Sequence, residues 1–272
     1  MLDEGCQLMT LADYHLHTAD SADSTESMAA VCRRAVELGL DEICFTEHFD
    51  TDPYDRGYGY YDDARYQRRL DDVRQEFAGR LVIRKGLEFD WQSRYAARTA
   101  ELLAGYRFDF LIGSVHCVFG SMAREALQRG FPPEEVYREY FAELRTLVAT
   151  GLPDVLGHVD YVRKVGWDLL GSWRYGDFDR EAAALARLCA ARGVGLEVNT
   201  RHRDRGQPIV PGVDVLRAYR EAGGRTVTLG SDAHTADAMG AHLDAAAARL
   251  REAGFDEFTV FCDRRPTWRP LP

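Results

Sequence analysis

LADYHLH, residues 11–17, opens the pattern that decides the fold. It is a short apolar run that ends on histidine. Short apolar runs with polar ends return in EICFTEH (42–48), LVIRKGLEFD (81–90), FDFLIGSVH (108–116), DVLGHVD (154–160), VGLEVNT (194–200) and RTVTLGSDAH (225–234). Stretches of helical character lie between these runs, around 25–39, 62–78, 93–105, 133–150, 179–192, 212–223 and 236–253. Ser24 or Thr25 can cap the first of them. Gly39, Gly151, Gly193 and Gly223 stand where glycines close helices. A last run, EFTVFC (257–262), reads as an eighth short strand. Strands that alternate with helices predict βαβ units and a parallel sheet. No G-x-G-x-x-G follows the first run, so an open dinucleotide-binding sheet has little support. The pattern therefore predicts an α/β fold built as a closed barrel.

The 272 residues fit one such barrel domain, 1–272, with no linker, repeat or low-complexity block. Hydrophobic residues make up 46% and charged residues 29%, the balance of a soluble globular protein. A net charge of −10 argues against a broad nucleic-acid surface. No stretch approaches the ~18 apolar residues of a membrane span. The N-terminus lacks the basic and apolar regions of a signal peptide. Six scattered cysteines, with no C-x-x-C pair, read as small core residues of a reduced cytoplasmic protein. Lys85 and Lys164 are the only lysines, so anion sites here would be arginine forks.

Six of the eight histidines end one of the runs: His15, His17, His48, His116, His158 and His234. Active sites of barrels are built at the carboxyl ends of the strands, so these imidazoles would converge on one cup. His15 and His17 are two apart on a strand and project to one face. Asp232 and His234 repeat that spacing. Imidazole mixed with carboxylate suits zinc, manganese or iron. Glu88 ends its run with two oxygens able to bridge two metals. In the loop ADSADST, Asp23 and Asp20 compete as a further ligand. At the end of the second run His48 is the ligand, and Glu47 orients a neighbouring imidazole from behind.

DYHLHT (13–18), FTEHFD (45–50), GLEFDW (86–91), GSVHCV (113–118), GHVDYVRK (157–164), EVNT (197–200) and GSDAH (230–234) resemble, in order, the motifs of the PHP (polymerase and histidinol phosphatase) superfamily of metal-dependent phosphoesterases. GSVH, GHVDYVRK and EVNT look most like the histidinol-phosphate phosphatases within it. The resemblance implies a distorted (β/α)7, TIM-barrel-like fold with three divalent metals at its carboxyl face. By motif, His15, His17, Glu88 and Asp232 would hold the first metal. Glu88, His116 and His158 would hold the second, and Asp23, His48 and His234 the third. The chain departs from the family pattern twice. Position 23 is often histidine there, and the second motif commonly reads TDH where this chain has TEH.

The activity implied is hydrolysis of a small anionic phosphomonoester, L-histidinol phosphate, by a metal-bridged hydroxide. The alternative is a nucleotide or an oligonucleotide end. Catalytic candidates are Asp232, His234, Arg163 and Asp160, with Asp160 or Asp232 protonating the leaving alkoxide. Arg163 is the first choice for the phosphate. Arg201, Arg203 and Arg205 are not separated by the reading, although it leans to Arg203, and His202 lies in the same loop. Asp90, Trp91, Asp50, Tyr54 and Tyr58 are candidates for the organic half of the substrate. Residues 49–63, acidic and aromatic, read as a lid, and His242 as a structural or exposed member of the last helix.

Overall fold

The computed structural model describes residues 11–170, 176–201, 203 and 206–272. Six parallel strands form its central sheet: β1 (Glu42–Phe49), β2 (Val82–Asp90), β3 (Phe110–Ser114), β6 (Val155–Leu156), β7 (Gly195–Asn199) and β8 (Val227–Gly230), neighbours in that order. Two short strands, β4 (Cys117–Val118) and β5 (Ser121–Met122), make a hairpin after β3. The helices are α1 (Met28–Glu37), α2 (Asp63–Glu76), α3 (Ala96–Ala104), α4 (Ala123–Gln128), α5 (Pro133–Thr150), α6 (Tyr161–Leu170), α7 (Gly176–Arg192), α8 (Val213–Glu221) and α9 (Leu243–Glu252). The runs read as strands because a parallel sheet is covered on both faces. In β1 every residue is buried except His48. Helix α5 buries Val136, Tyr137, Tyr140, Phe141, Leu144, Leu147 and Val148 along one stripe. Pro133 opens it and Gly151, at φ +67°, closes it.

The barrel closes through residues 12–17, and here the structure corrects the reading. This run is not a regular strand. It makes one parallel bridge to β1, Asp13 to Ile43, and one past the end of β8, Leu16 to Ala233. Backbone bonds join it to both sides: Cys44 N donates to Asp13 O and Thr46 N to Leu16 O, while Tyr14 N donates to Leu229 O and His17 N to Ala233 O. Side chains interrupt the ladder. Thr46 Oγ1 accepts from Leu16 N, and the Asp13 carboxylate accepts from Ser231 N, Gly240 N and His15 N. The result is the distorted, seven-membered α/β barrel, with one member held by a mixture of backbone and side-chain bonds.

Four further differences have local causes. Ser27, not Ser24 or Thr25, caps α1, while the Ser24 hydroxyl donates to His234 O. The 257–262 run is not an eighth barrel strand. It forms β9 (Glu257–Cys262), paired antiparallel with β10 (Arg265–Pro270), and lies beside Tyr14, whose hydroxyl accepts from Phe261 N and donates to Glu42. His242 stands before α9, not within it, at φ +60°. Helices α4 and α6 stand where the reading predicts no helix, each directly after a strand-end turn.

The Asp13→Ala variant would leave two buried N–H groups, of Ser231 and His15, and the half-buried one of Gly240 without their acceptor. At about 1–3 kcal/mol for an orphaned buried donor, unfolding in urea should show a loss of about 3 kcal/mol or more. A loss under about 1 kcal/mol would show that the segment is held by its bridges alone.

Candidate metal centre

Each ligand candidate stands where a strand reaches the carboxyl end of the barrel, or in the loop beside it. His15 and His17 come from the closing segment, His48 and Glu88 from the ends of β1 and β2, and His116 from the turn after β3. His158 follows β6 by two residues, and Asp232 and His234 follow β8. Asp23 comes from the loop ahead of α1. His158 and Asp232 both adopt positive φ, +22° and +53°. Such backbone persists where the surroundings over-determine it, a common property of functional sites.

Glu88 lies at the centre. Its Oε2 is 3.1 Å from His48 Nδ1, 3.2 Å from His15 Nε2 and 3.4 Å from His17 Nε2. Its Oε1 is 2.9 Å from His158 Nε2 and 3.7 Å from His116 Nε2, and accepts from the Ser114 hydroxyl at 2.6 Å. The two oxygens thus face two groups of imidazoles. Asp232 Oδ1 lies 3.6 Å from His17 Nε2, 3.7 Å from His234 Nδ1 and 3.9 Å from His15 Nε2. Asp23 Oδ2 is 3.0 Å from His234 Nε2 and 3.5 Å from His48 Nε2. All nine residues expected as ligands meet in this cluster. Three sets within it have ligand atoms close enough for one ion each: His15, His17 and Glu88; Glu88, His116 and His158; and His17, His48 and His234. The Nε2 atoms of His15 and His17 are buried and have no hydrogen-bond partner. Buried polar atoms left so are costly, and a metal ion would satisfy both. The donors, imidazole with carboxylate, fit zinc, manganese or iron.

A second layer of side chains turns the imidazoles. Ser21 Oγ lies 3.2 Å from His17 Nδ1 and donates to Glu47, which also accepts from Thr18 N and Oγ1. Glu47 therefore acts on His17 through Ser21. Burial lifts its carboxyl to about 7, against the pull of the Ser21 and Thr18 bonds. Asp90 Oδ1 accepts from His116 N and lies 3.1 Å from His116 Nδ1. Glu197 holds His15 Nδ1 at 2.5 Å. Burial works against the charges of Glu88 and Asp232. Nearby His15 and His48 nevertheless hold Glu88 well below the ordinary carboxylate range, and Arg201 with His15 does the same for Asp232.

Beside the cluster opens a cavity of about 850 Å³. Its lining includes the cations Arg56, Arg124, Lys164 and Arg201 and the carboxylates of Asp50, Asp52, Asp55, Asp90 and Glu125. Arg201 donates to Asp232 Oδ1 at 2.8 Å, and Lys164 to Asn199 Oδ1 at 2.5 Å. Arg163 does not line the cavity. Helix α6 begins at Tyr161, which turns Tyr161, Lys164 and Val165 inward and carries Arg163 toward Gly212. Asp160 is buried and accepts from Gly212 N, away from the cavity lining. Arg203 is exposed and also outside the lining. His202 and Arg205 lie outside the described residues. Trp91 is a core residue at 1% exposure, and its Nε1 donates to Thr146. Asp20 turns away to Arg65 and Arg69. Of the lid segment, Asp50, Asp52, Tyr54, Asp55, Arg56 and Gly57 wall the cavity, whereas Tyr58 is exposed outside it.

The sequence reading gives no site role to Glu197, Asn199 or Lys164. Glu197 and Asn199 are two apart on β7, the spacing that exposed His15 and His17, so the signal was present without a histidine to mark it.

The chain belongs to the PHP domain family, whose model matches residues 13–201. Among its relatives, a histidinol-phosphatase from Lactococcus lactis is 29% identical over 93% of this chain and 95% of the relative. A probable histidinol-phosphatase from Deinococcus radiodurans is 30% identical over 90% of this chain and 94% of the relative. The fold matches the crystal structure of a histidinol phosphate phosphatase from Lactococcus lactis complexed with zinc, L-histidinol and phosphate. The TM-score is 0.83 at 27% identity, over 95% of this chain and 99% of that one.

Glu88→Gln should weaken zinc retention on the order of a hundredfold or more, as elemental analysis after dialysis would show. Full retention would remove Glu88 from the ligand set. Trp91→Phe should cost about 1 kcal/mol of stability through the lost bond to Thr146, with unchanged kinetics. A raised KM would place Trp91 against substrate.

Proposed function

We propose that this chain is a metal-dependent phosphomonoesterase that hydrolyses L-histidinol phosphate to L-histidinol and phosphate, and that it is a single PHP domain. The observation that carries this reading is the gathering of five imidazoles around the buried Glu88 carboxylate, within a cluster of nine candidate ligands, beside a cavity with Arg201 and Lys164 in its wall. The donor set supports three divalent ions. His15, His17, Glu88 and Asp232 would hold the first, Glu88, His116 and His158 the second, and Asp23, His48 and His234 the third. Zinc is favoured by the ligand named for the Lactococcus lactis structure.

Metals bound there would supply Lewis-acid stabilisation and a water activated for attack on phosphorus. The chain's own groups do the rest. Arg201 spends part of its guanidinium fork on Asp232, and its other N–H groups can donate to phosphoryl oxygens. Lys164 adds a second cation, and burial draws its ammonium down to about 8. Asp232, held ionised, binds and does not serve as the proton donor. Carboxylates of the lining, Asp50 and Asp55 among them, suit the amine of histidinol. The five cysteines among the described residues are all free, which suits a reducing cytoplasm. No helix among the described residues is long and apolar enough to cross a membrane.

The test is phosphate release by zinc-, manganese- or iron-loaded protein from a panel of L-histidinol phosphate, mononucleotides, a short single-stranded DNA and an aryl phosphate. L-histidinol phosphate should give the highest kcat/KM, and faster turnover of the oligonucleotide would refute the reading. Arg201→Ala should lower kcat/KM by roughly ten- to a hundredfold, from the loss of charged hydrogen bonds worth about 1.5–3 kcal/mol. Arg163→Ala should do much less. The reverse order would return the phosphate site to Arg163.

A further inference from the structure

Glu197 is 1% exposed on β7 and outside the ligand set. Its carboxylate meets three nitrogens. Oε1 lies 2.5 Å from His15 Nδ1, and Oε2 accepts from the backbone N of His158 at 2.7 Å and from Asn199 Nδ2 at 3.2 Å. The backbone makes room for it, since a Cβ at Gly230 would stand 2.2 Å from Oε1. At the other end of the His15 ring, Nε2 is buried, faces Glu88 and Asp232, and has no hydrogen-bond partner. The His158 backbone that Glu197 holds stands at φ +22°, a conformation that needs such support in a residue other than glycine.

An imidazole ligates through the nitrogen that bears no hydrogen, and a neutral ring has only one. An ionised carboxylate can only accept, so its partner Nδ1 must keep the hydrogen and the lone pair is left on Nε2. We propose that Glu197 is the positioning residue of the centre: it fixes the His15 tautomer and the His158 backbone at once, so that the first and second ligand groups form as a unit. The inference rests on the metal reading of the site.

Glu197→Gln keeps the shape but replaces one acceptor by a donor. If the amide nitrogen faces His15, the ring must move its hydrogen to Nε2 and close the ligand lone pair. If it faces His158, the backbone bond is lost and a buried N–H is orphaned. Either outcome should weaken zinc binding by about 10–100-fold in a chelator competition. Leu144→Ala, a core truncation in α5, should lower the melting temperature and leave zinc affinity unchanged. In the zinc-loaded protein labelled with ¹⁵N-histidine, His15 should carry its hydrogen on Nδ1, the signal being assigned by its loss in His15→Gln. Three results overturn the proposal: a His15 ring protonated on Nε2, a Glu197→Gln variant with wild-type zinc affinity, or equal weakening by Leu144→Ala. A wild-type protein that takes up no zinc would instead overturn the metal reading itself.

Discussion

Glu88 carries a carboxylate at 1% exposure, where an unpaired charge would cost far more than the fold can supply. Five imidazoles stand within 3.7 Å of its two oxygens. They solve one problem and create another, because each buried ring has a second nitrogen that also needs a partner. Ser21, Asp90 and Glu197 meet that need for His17, His116 and His15. Glu47 then holds Ser21, and Asn199 holds Glu197. The polar network radiates from one carboxylate into four barrel strands and the closing segment. The loose pairing of residues 12–17 follows from the same demand. Their backbone bonds are shared among two neighbours and the side chains of Asp13 and Thr46, while His15 and His17 both point inward.

The ligand face was legible in the sequence because apolar runs define strands and their last residues define the carboxyl rim. Two-residue spacing then set His15 with His17 on one side. What escaped had a different physical origin. Arg163 and Lys164 are neighbours in sequence, and only the start of α6 at Tyr161 decides which one faces the cavity. The reading puts Arg163 first for the phosphate, whereas the turn of α6 sets Lys164 against the cavity. Trp91 follows a ligand-rich strand end, but its indole finds Thr146 and the core, and no local pattern announces that distant partner. Glu197 has the right spacing on its strand, yet a lone carboxylate in an apolar run carries no mark of what it will hold.

Charge is distributed with the same logic. The chain is acidic overall at −10, yet its cavity is lined by four cations, Arg56, Arg124, Lys164 and Arg201, as well as by carboxylates. The proposed substrate, with an anionic phosphate and a cationic amine, would meet both signs there.

The central claim is that these nine side chains are ligands that share Glu88 between ions. Anomalous diffraction at the zinc edge, from crystals of the zinc-loaded protein, tests it most directly. The account predicts peaks at the three ligand groups, with two of them within bonding distance of opposite oxygens of Glu88. A map with no peak beside Glu88, or with zinc held only by surface carboxylates, would contradict it.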